Sequence, residues 1–194
     1  MPLRERISFA GEGAELVGNL FLPDPSGTDD ATPLQGVVVA GTWTSVKEQM
    51  ADRYAEELAR RGYAALSFDF TGYGESAGEP RDYESPQLKV QDLSAAADFL
   101  TGHPAVDDGQ LGVLGVCAGA MYVSALAAED PRVRSLALVA PWLHDGRICK
   151  ENYGGPEGSK RRRRQRPKPG AGTRTPARSP SRAWSGSLAG GVSV

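Results

Sequence analysis

The stretch Gly115-Val116-Cys117-Ala118-Gly119 decides the fold of this chain. It follows an apolar run at 111–114 and precedes a stretch with helical character, 118–128. A strand, a sharp turn and a helix in this order are the setting of a G-x-S-x-G nucleophile elbow, here with Cys in place of Ser. The two glycines leave room where a side chain would collide with the neighbouring strand and helix. The thiol would lie at the positive end of the helix, which favours a thiolate, so we interpret Cys117 as a nucleophile.

Two other interpretations of this stretch fit its sequence context less well. A free cysteine is often a buried structural residue, but the flanking glycines and the change from strand to helix favour the elbow. A dinucleotide-binding loop would need the spacing G-x-G-x-x-G. Gly112, Gly115 and Gly119 do not provide that spacing, so this interpretation is excluded.

Apolar runs alternate with amphipathic stretches along residues 1–155. The predicted strands are 6–10, 15–22, 36–40, 63–68, 110–114 and 133–139, and the predicted helices are 46–61, 86–102 and 118–128. This alternation predicts an α/β fold with a doubly wound, mostly parallel sheet. Ligands of such sheets bind beyond the carboxyl ends of the strands. The polar and aromatic residues just beyond those ends are Thr42, Trp43, Thr71, Cys117 and Trp142.

The composition excludes several classes of protein. The length of 194 residues suits one domain, and no apolar run approaches the roughly 20 residues of a membrane helix. The two cysteines, Cys117 and Cys149, make neither a disulfide framework nor a zinc site. The first residues lead into no secretory signal. We therefore expect a cytoplasmic protein without a metal.

The charge is distributed unevenly along the chain. Residues 156–194 contain ten of the 22 Lys and Arg residues but one of the 24 Asp and Glu residues. They are rich in Arg, Gly, Ser and Pro, a composition typical of disorder. We expect a folded domain at 1–155 and a separate basic tail at 156–194. Such a tail could bind nucleic acid, but a reading-frame shift near Gly158 is the interpretation we prefer.

Residues 1–155 resemble the α/β-hydrolases, in particular the dienelactone-hydrolase-like and esterase-like members that carry Cys in the elbow. The matching segments are 41–50, 68–76, 115–119 and 140–145. The resemblance implies that Cys117 is the nucleophile and that the N–H of Ala118 is one oxyanion donor. The second donor would be the N–H of Trp43, or that of Thr42. It also implies a small acyl substrate, such as a carboxylic ester or lactone, and no cofactor.

The resemblance gives Asp69 a structural role, because the acid and the base of these enzymes follow the nucleophile in the chain. Asp69 precedes it, in a segment that forms a turn in relatives, and we expect it to cap backbone donors there. His103 is expected at the opposite edge of the sheet. His144 and Asp145 are on the correct edge but earlier than the base and acid of relatives.

A complete triad is therefore not expected in this chain, and turnover is expected to be weak or absent. The alternative functions are a catalytically inactive hydrolase-like remnant and a hydrolase-like body with a nucleic-acid-binding tail.

Overall fold

The computed structural model describes residues 1–25, 32–143, 146–152 and 154–155. The strands are β1 (Leu3–Ala10), β2 (Glu15–Leu22), β3 (Leu34–Ala40), β4 (Ala64–Phe68), β5 (Val106–Val116) and β6 (Val133–Val139). The helices are α1 (Ala51–Ala59), α2 (Pro86–Thr101), α3 (Gly119–Glu129) and α4 (Gly146–Asn152), and a 3₁₀ turn covers Lys47–Gln49. Across these described segments, no helix combines the length and the apolar character needed to cross a membrane.

The strands form one six-stranded sheet in the order β1-β2-β4-β3-β5-β6. A hairpin joins β1 and β2, and β2 pairs antiparallel with β4. The remaining pairs, β3 with β4, β3 with β5 and β5 with β6, are parallel. The sequence-based prediction of a doubly wound, mostly parallel sheet is confirmed.

Helices cover both faces of the sheet because its central strands are apolar on both sides. On one face α2 and α3 pack on a cluster that includes Val38, Leu66 and Val113. On the other face α1 packs on a cluster that includes Val37, Val39, Ala65 and Leu114. Alternate residues of the same strands therefore pack on opposite faces of the sheet, because successive side chains of a strand point in opposite directions.

The strand order places a crevice between β3 and β5. The chain leaves the carboxyl end of β3 toward α1 and β4 on one side, and it leaves β5 toward α3 and β6 on the other. The connections on the two sides of this point run in opposite directions, and in such sheets ligands bind in the crevice beyond the strand ends there.

Some boundaries differ from the predicted ones. The helix predicted at 46–61 is divided into the 3₁₀ turn and α1, and Met50 between them has φ −150° and ψ −49°. Hydrogen bonds to a buried carboxylate hold the first residue of the turn, Lys47. The spacing of apolar side chains therefore does not determine the backbone conformation of this residue. Strand β5 is longer than predicted, and its register with β3 shifts between Gln35 and Gly36.

Candidate active site

Cys117 occupies the sharp turn between β5 and α3. Its φ is +55°, in the left-handed region that non-glycine residues rarely adopt. Strand β5 ends one residue before it at Val116, and α3 begins two residues after it at Gly119. The predicted succession of strand, turn and helix is therefore present, and the side chain is half-buried.

The two flanking glycines are required by close contacts. A Cβ on Gly115 would lie 2.6 Å from Cα of Ala120, and a Cβ on Gly119 would lie 2.4 Å from the carbonyl oxygen of Gly41. Real Cβ atoms essentially never come this close to other atoms. The second contact also shows that the start of α3 packs directly on the loop that leaves β3.

Backbone hydrogen bonds hold the elbow against the end of β6. The N–H of Cys117 donates to the carbonyl of Val139 at 2.9 Å, and the carbonyl of Cys117 accepts from the N–H of Trp142 at 2.9 Å. The strand that precedes the elbow and the segment that follows β6 are thus joined at the residue that carries the thiol. Trp142 itself is 41% exposed beside it.

Ala118 and the loop at 41–46 lie on either side of the crevice. Ala118 is fully buried and is the N-cap of α3, so its N–H is at the helix end where amides lack intrahelical partners. In the loop, the hydroxyl of Ser45 donates to the carbonyl of Thr42 at 2.8 Å, and Thr44 has φ +50°. Trp43 is half-buried against the core on the α2 and α3 face.

The buried carboxylate of Asp69 caps backbone donors, as expected from its position. One oxygen accepts from the N–H of Lys47 at 2.8 Å, and the other accepts from the N–H of Glu75 at 2.9 Å. A Cβ on Gly74 would lie 2.2 Å from this carboxylate, which explains the glycine at that position.

Lys47 is a buried cation that sequence reasoning missed. Its ammonium group lies 2.7 Å from the Asp69 carboxylate and 2.8 Å from the carboxylates of Glu48 and Glu75. Burial acts to lower the pKa of Lys47, but hydrogen bonds to these three carboxylates outweigh it and raise that pKa above its usual value. The three carboxylates are close enough together to hold a metal ion, but the ammonium group already bonds to all of them.

A second buried polar cluster lies between α2, α3 and the loop after β4. Glu84 accepts hydrogen bonds from the hydroxyls of Tyr73 and Tyr122 and forms an ion pair with Lys89. Burial lowers the pKa of Lys89, although the nearby Glu84 opposes this.

Asp92 belongs to the same buried cluster. It accepts from the N–H and from the hydroxyl of Thr71, each at 2.8 Å. Burial raises the pKa of Asp92, and these two hydrogen bonds act in the opposite direction. The sequence contains a signal for the cluster, because Lys89 and Asp92 fall on the helical stripe of α2 that continues with Leu93 and Ala96.

The remaining candidate residues are not brought to Cys117 by the described structure. His103 follows the end of α2 and precedes β5, at the opposite edge of the sheet, where its ring nitrogen accepts from the N–H of Ala105. His144 and Asp145 lie outside the described residues, and so does the basic tail at 156–194. Cys149 is in α4.

The strand order, the helices on both faces and the elbow after β5 define the α/β-hydrolase fold. The family described as serine aminopeptidase S33 matches residues 32–153, and the chain belongs to this family.

Three relatives illustrate the similarity. The uncharacterized protein YcjY of Escherichia coli (strain K12) is 37% identical over 139 residues, which are 71% of this chain and 45% of YcjY. The thiohydrolase aneE of Aspergillus aculeatus is 32% identical over 132 residues, which are 68% of this chain and 39% of aneE. The crystal structure of the hypothetical protein PA2218 from Pseudomonas aeruginosa superimposes with a TM-score of 0.75 at 31% identity, over 84% of this chain and 51% of that chain. The chain thus spans less than half the length of the curated relatives YcjY and aneE.

Proposed function

We propose that this chain catalyses acyl transfer, with the thiol of Cys117 attacking the carbonyl carbon of a carboxylic ester, lactone or related acyl compound. The observation that carries the proposal is the left-handed Cys117 at the turn between β5 and α3. Strained backbone of this kind costs about 1–3 kcal/mol and is concentrated at functional sites. The side chain is half-buried and packs against the apolar cluster on the α1 face, at the turn beyond the carboxyl end of β5.

The chemistry would proceed in two steps at the same sulfur atom. Attack forms the carbon–sulfur bond, and collapse of the tetrahedral intermediate releases the alcohol, which carries away the proton of the thiol. Water then hydrolyses the thioester to the free acid and restores the thiol. The negatively charged oxygen of each intermediate would accept hydrogen bonds from the N–H of Ala118 and from that of Trp43, or of Thr42. Each such donor is worth roughly 3–4 kcal/mol in a water-excluded site.

The similarity to aneE supports an acyl substrate, since that relative is named a thiohydrolase. Among the described residues, His103 lies at the other edge of the sheet. We propose that the first step is faster than the second, so that the acylated protein accumulates, because a thiol is intrinsically nucleophilic whereas water must be activated to attack the thioester.

The experiment is a reaction with p-nitrophenyl acetate followed by mass spectrometry of the peptide that contains Cys117. We expect release of about one equivalent of p-nitrophenolate per chain, acetylation at Cys117 and slow or absent turnover afterwards, as for an enzyme that stalls at the acyl intermediate. Cys117→Ala should abolish the release, whereas the matched variant Cys149→Ala should retain it. Equal release from both variants would refute the proposal.

A second experiment compares the intrinsic reactivity of the two thiols. Iodoacetamide at neutral pH should modify Cys117 faster than Cys149, because the proposed role requires the elbow to present the sulfur to an electrophile. Equal rates would count against an activated elbow thiol.

We further propose that residues 1–155 form the hydrolase-like domain and that residues 156–194 are a tail dispensable for acylation. A chain shortened after Gly155 should be acylated at the same rate as the full chain. A lower rate in the shortened chain would assign the tail a part in the site.

A further inference from the structure

We infer that Lys47 and Asp69 are positioning residues that hold the loop at 41–46 in the shape required of an oxyanion donor. The inference rests on the proposed function, since it assigns a role to the loop only if Cys117 is acylated. Neither residue reaches the crevice in our proposal. Both act through the backbone between β3 and the 3₁₀ turn.

The Asp69 carboxylate binds both the backbone and the side chain of Lys47. One oxygen accepts from the backbone N–H of Lys47 at 2.8 Å, and the other accepts from its ammonium group at 2.7 Å. Asp69 directly follows β4, which lies next to β3 in the sheet. The carboxylate therefore fixes the far end of the loop to the strand beside the one from which the loop departs.

The pair is buried, with the Lys47 side chain 1% exposed and the Asp69 side chain 0% exposed. Removal of the Lys47 charge would leave the Asp69 carboxylate buried without its cation. Removal of the Asp69 charge would leave Lys47 bonded to Glu48 and Glu75 but without the carboxylate that also binds its backbone. Surface ion pairs exchange partners with water, but this pair is shielded from it. The buried pair of Lys47 and Asp69 is therefore suited to fixing the backbone at the end of the loop 41–46.

The near end of the loop is fixed independently. The carbonyl of Gly41 packs against the start of α3, at the position where a side chain on Gly119 would collide with it. Between the two fixed ends, Thr44 adopts φ +50°, and Ser45 bonds back to the carbonyl of Thr42. The orientation of the N–H groups of Thr42 and Trp43 thus depends on both ends, and Lys47 and Asp69 supply one of them.

A mispositioned oxyanion donor affects only reactions that form an oxyanion. Acylation of Cys117 by an ester passes through a tetrahedral intermediate with a negatively charged oxygen. Alkylation by iodoacetamide displaces iodide from a saturated carbon and forms no such charge. The ratio of the two rates at the same sulfur therefore reports on the donors, separately from the reactivity and accessibility of the thiol.

The test uses the full chain with Cys149→Ala, so that Cys117 is its one thiol. In this background Asp69→Asn and Lys47→Met are compared with the parent for acylation by p-nitrophenyl acetate and alkylation by iodoacetamide. We expect acylation to fall about 100-fold, the effect of a misplacement of about 1 Å, while alkylation changes less than about twofold. Lys47→Arg keeps the charge but not the compact shape of the ammonium group, and an intermediate ratio is expected.

The matched control is Asp130→Asn, which removes a carboxylate paired with Arg132 at the far end of α3. It should leave the ratio of the two rates unchanged. Circular dichroism identifies the folded variants. Of the three substitutions at positions 47 and 69, Lys47→Arg is expected to disturb folding least because it keeps the charge. An unchanged ratio in the folded variants at positions 47 and 69, or a parallel fall of both rates, would overturn the inference. Absence of acylation in the parent would instead refute the proposed function itself.

Discussion

The ammonium group of Lys89 lies 3.0 Å from a carboxylate oxygen of Glu84, with the lysine side chain 3% exposed. The same nitrogen is 4.5 Å from the ring centre of Tyr73 and 4.6 Å from that of Phe70. Cation–π attraction of this kind is worth about 2 kcal/mol when the groups are desolvated. Glu84 also accepts from Tyr122 of α3, so the cluster joins α2 to the helix that begins at the elbow.

We expect Glu84→Ala to destabilise the protein more than Lys89→Met. Loss of Glu84 leaves a buried cation and two tyrosine hydroxyls without their acceptor, which should cost about 3–5 kcal/mol. Loss of Lys89 removes the cation–π contacts but leaves Glu84 with its two hydroxyl donors, and methionine packs well among aromatic rings, so the loss should be smaller, about 2 kcal/mol. Urea unfolding of the two variants measures the difference. Equal losses would show that the ion pair does not govern this cluster.

Gly115→Ala should be strongly destabilising because the added Cβ has no room. It would lie 2.6 Å from both Cα of Ala120 and Cγ2 of Val123, and overpacking of this kind typically costs about 1–3 kcal/mol. Gly13→Ala is the matched control, since nothing lies within 4 Å of a Cβ there. Thermal unfolding of both variants tests the expectation. A melting temperature of Gly115→Ala equal to that of Gly13→Ala would contradict it.

The sequence predicted the sheet and the elbow because these depend on local patterns. Apolar runs bounded by glycine are typical of buried strands, and the spacing of Gly115 and Gly119 around Cys117 reflects contacts made within one strand–helix unit and its neighbouring loop. The same local reasoning predicted that Asp69 caps backbone donors. The structure confirms this role, with the N–H groups of Lys47 and Glu75 as the two donors.

The buried cations could not be predicted in the same way. Lys47 lies 22 positions from Asp69 in the chain, and in an apparently amphipathic helix a lysine is expected on the solvated face. Its burial depends on the parallel pairing of β3 with β4, which brings the two loops together. Lys89 did carry a signal, because it interrupts the apolar stripe of α2, but its partner precedes that helix.

Cys117→Gly should be more stable than Cys117→Ala. The residue has φ +55°, and the left-handed conformation costs an L-amino acid roughly 1–2 kcal/mol that glycine does not pay. We expect a difference of about 1 kcal/mol in favour of glycine, measured by chemical unfolding.

The control for this comparison is Ser124 in the middle of α3, where the order should reverse. Ordinary helical backbone favours alanine over glycine by about 1 kcal/mol. If alanine is the more stable residue at both positions, the elbow is not strained.

The stability of the protein in acid should depend on Asp130. Hydrogen bonds from Arg132 lower the pKa of this carboxyl below its ordinary value of 3.8. A group whose pKa is lowered by folding stabilises the protein above its unfolded value and loses that contribution as the pH falls through its folded value. The free energy of unfolding should therefore fall less steeply below about pH 4 in Asp130→Asn than in the parent. Identical slopes in urea titrations at several pH values would show that the pair contributes nothing.

We predict self-association through β6, which is the last strand of the sheet that the described residues form. Leu136 and Leu138 on one face of this strand are 44% and 37% exposed. An open, apolar edge strand is a template for pairing with another chain, and lysine on such a strand suppresses it. We expect Leu136→Lys together with Leu138→Lys to reduce concentration-dependent association in analytical ultracentrifugation. Leu3→Lys together with Glu5→Gln, on the strand at the opposite edge, makes the same change of two charges and is the control. It should leave association unchanged, whereas an equal reduction by both variants would assign the effect to net charge.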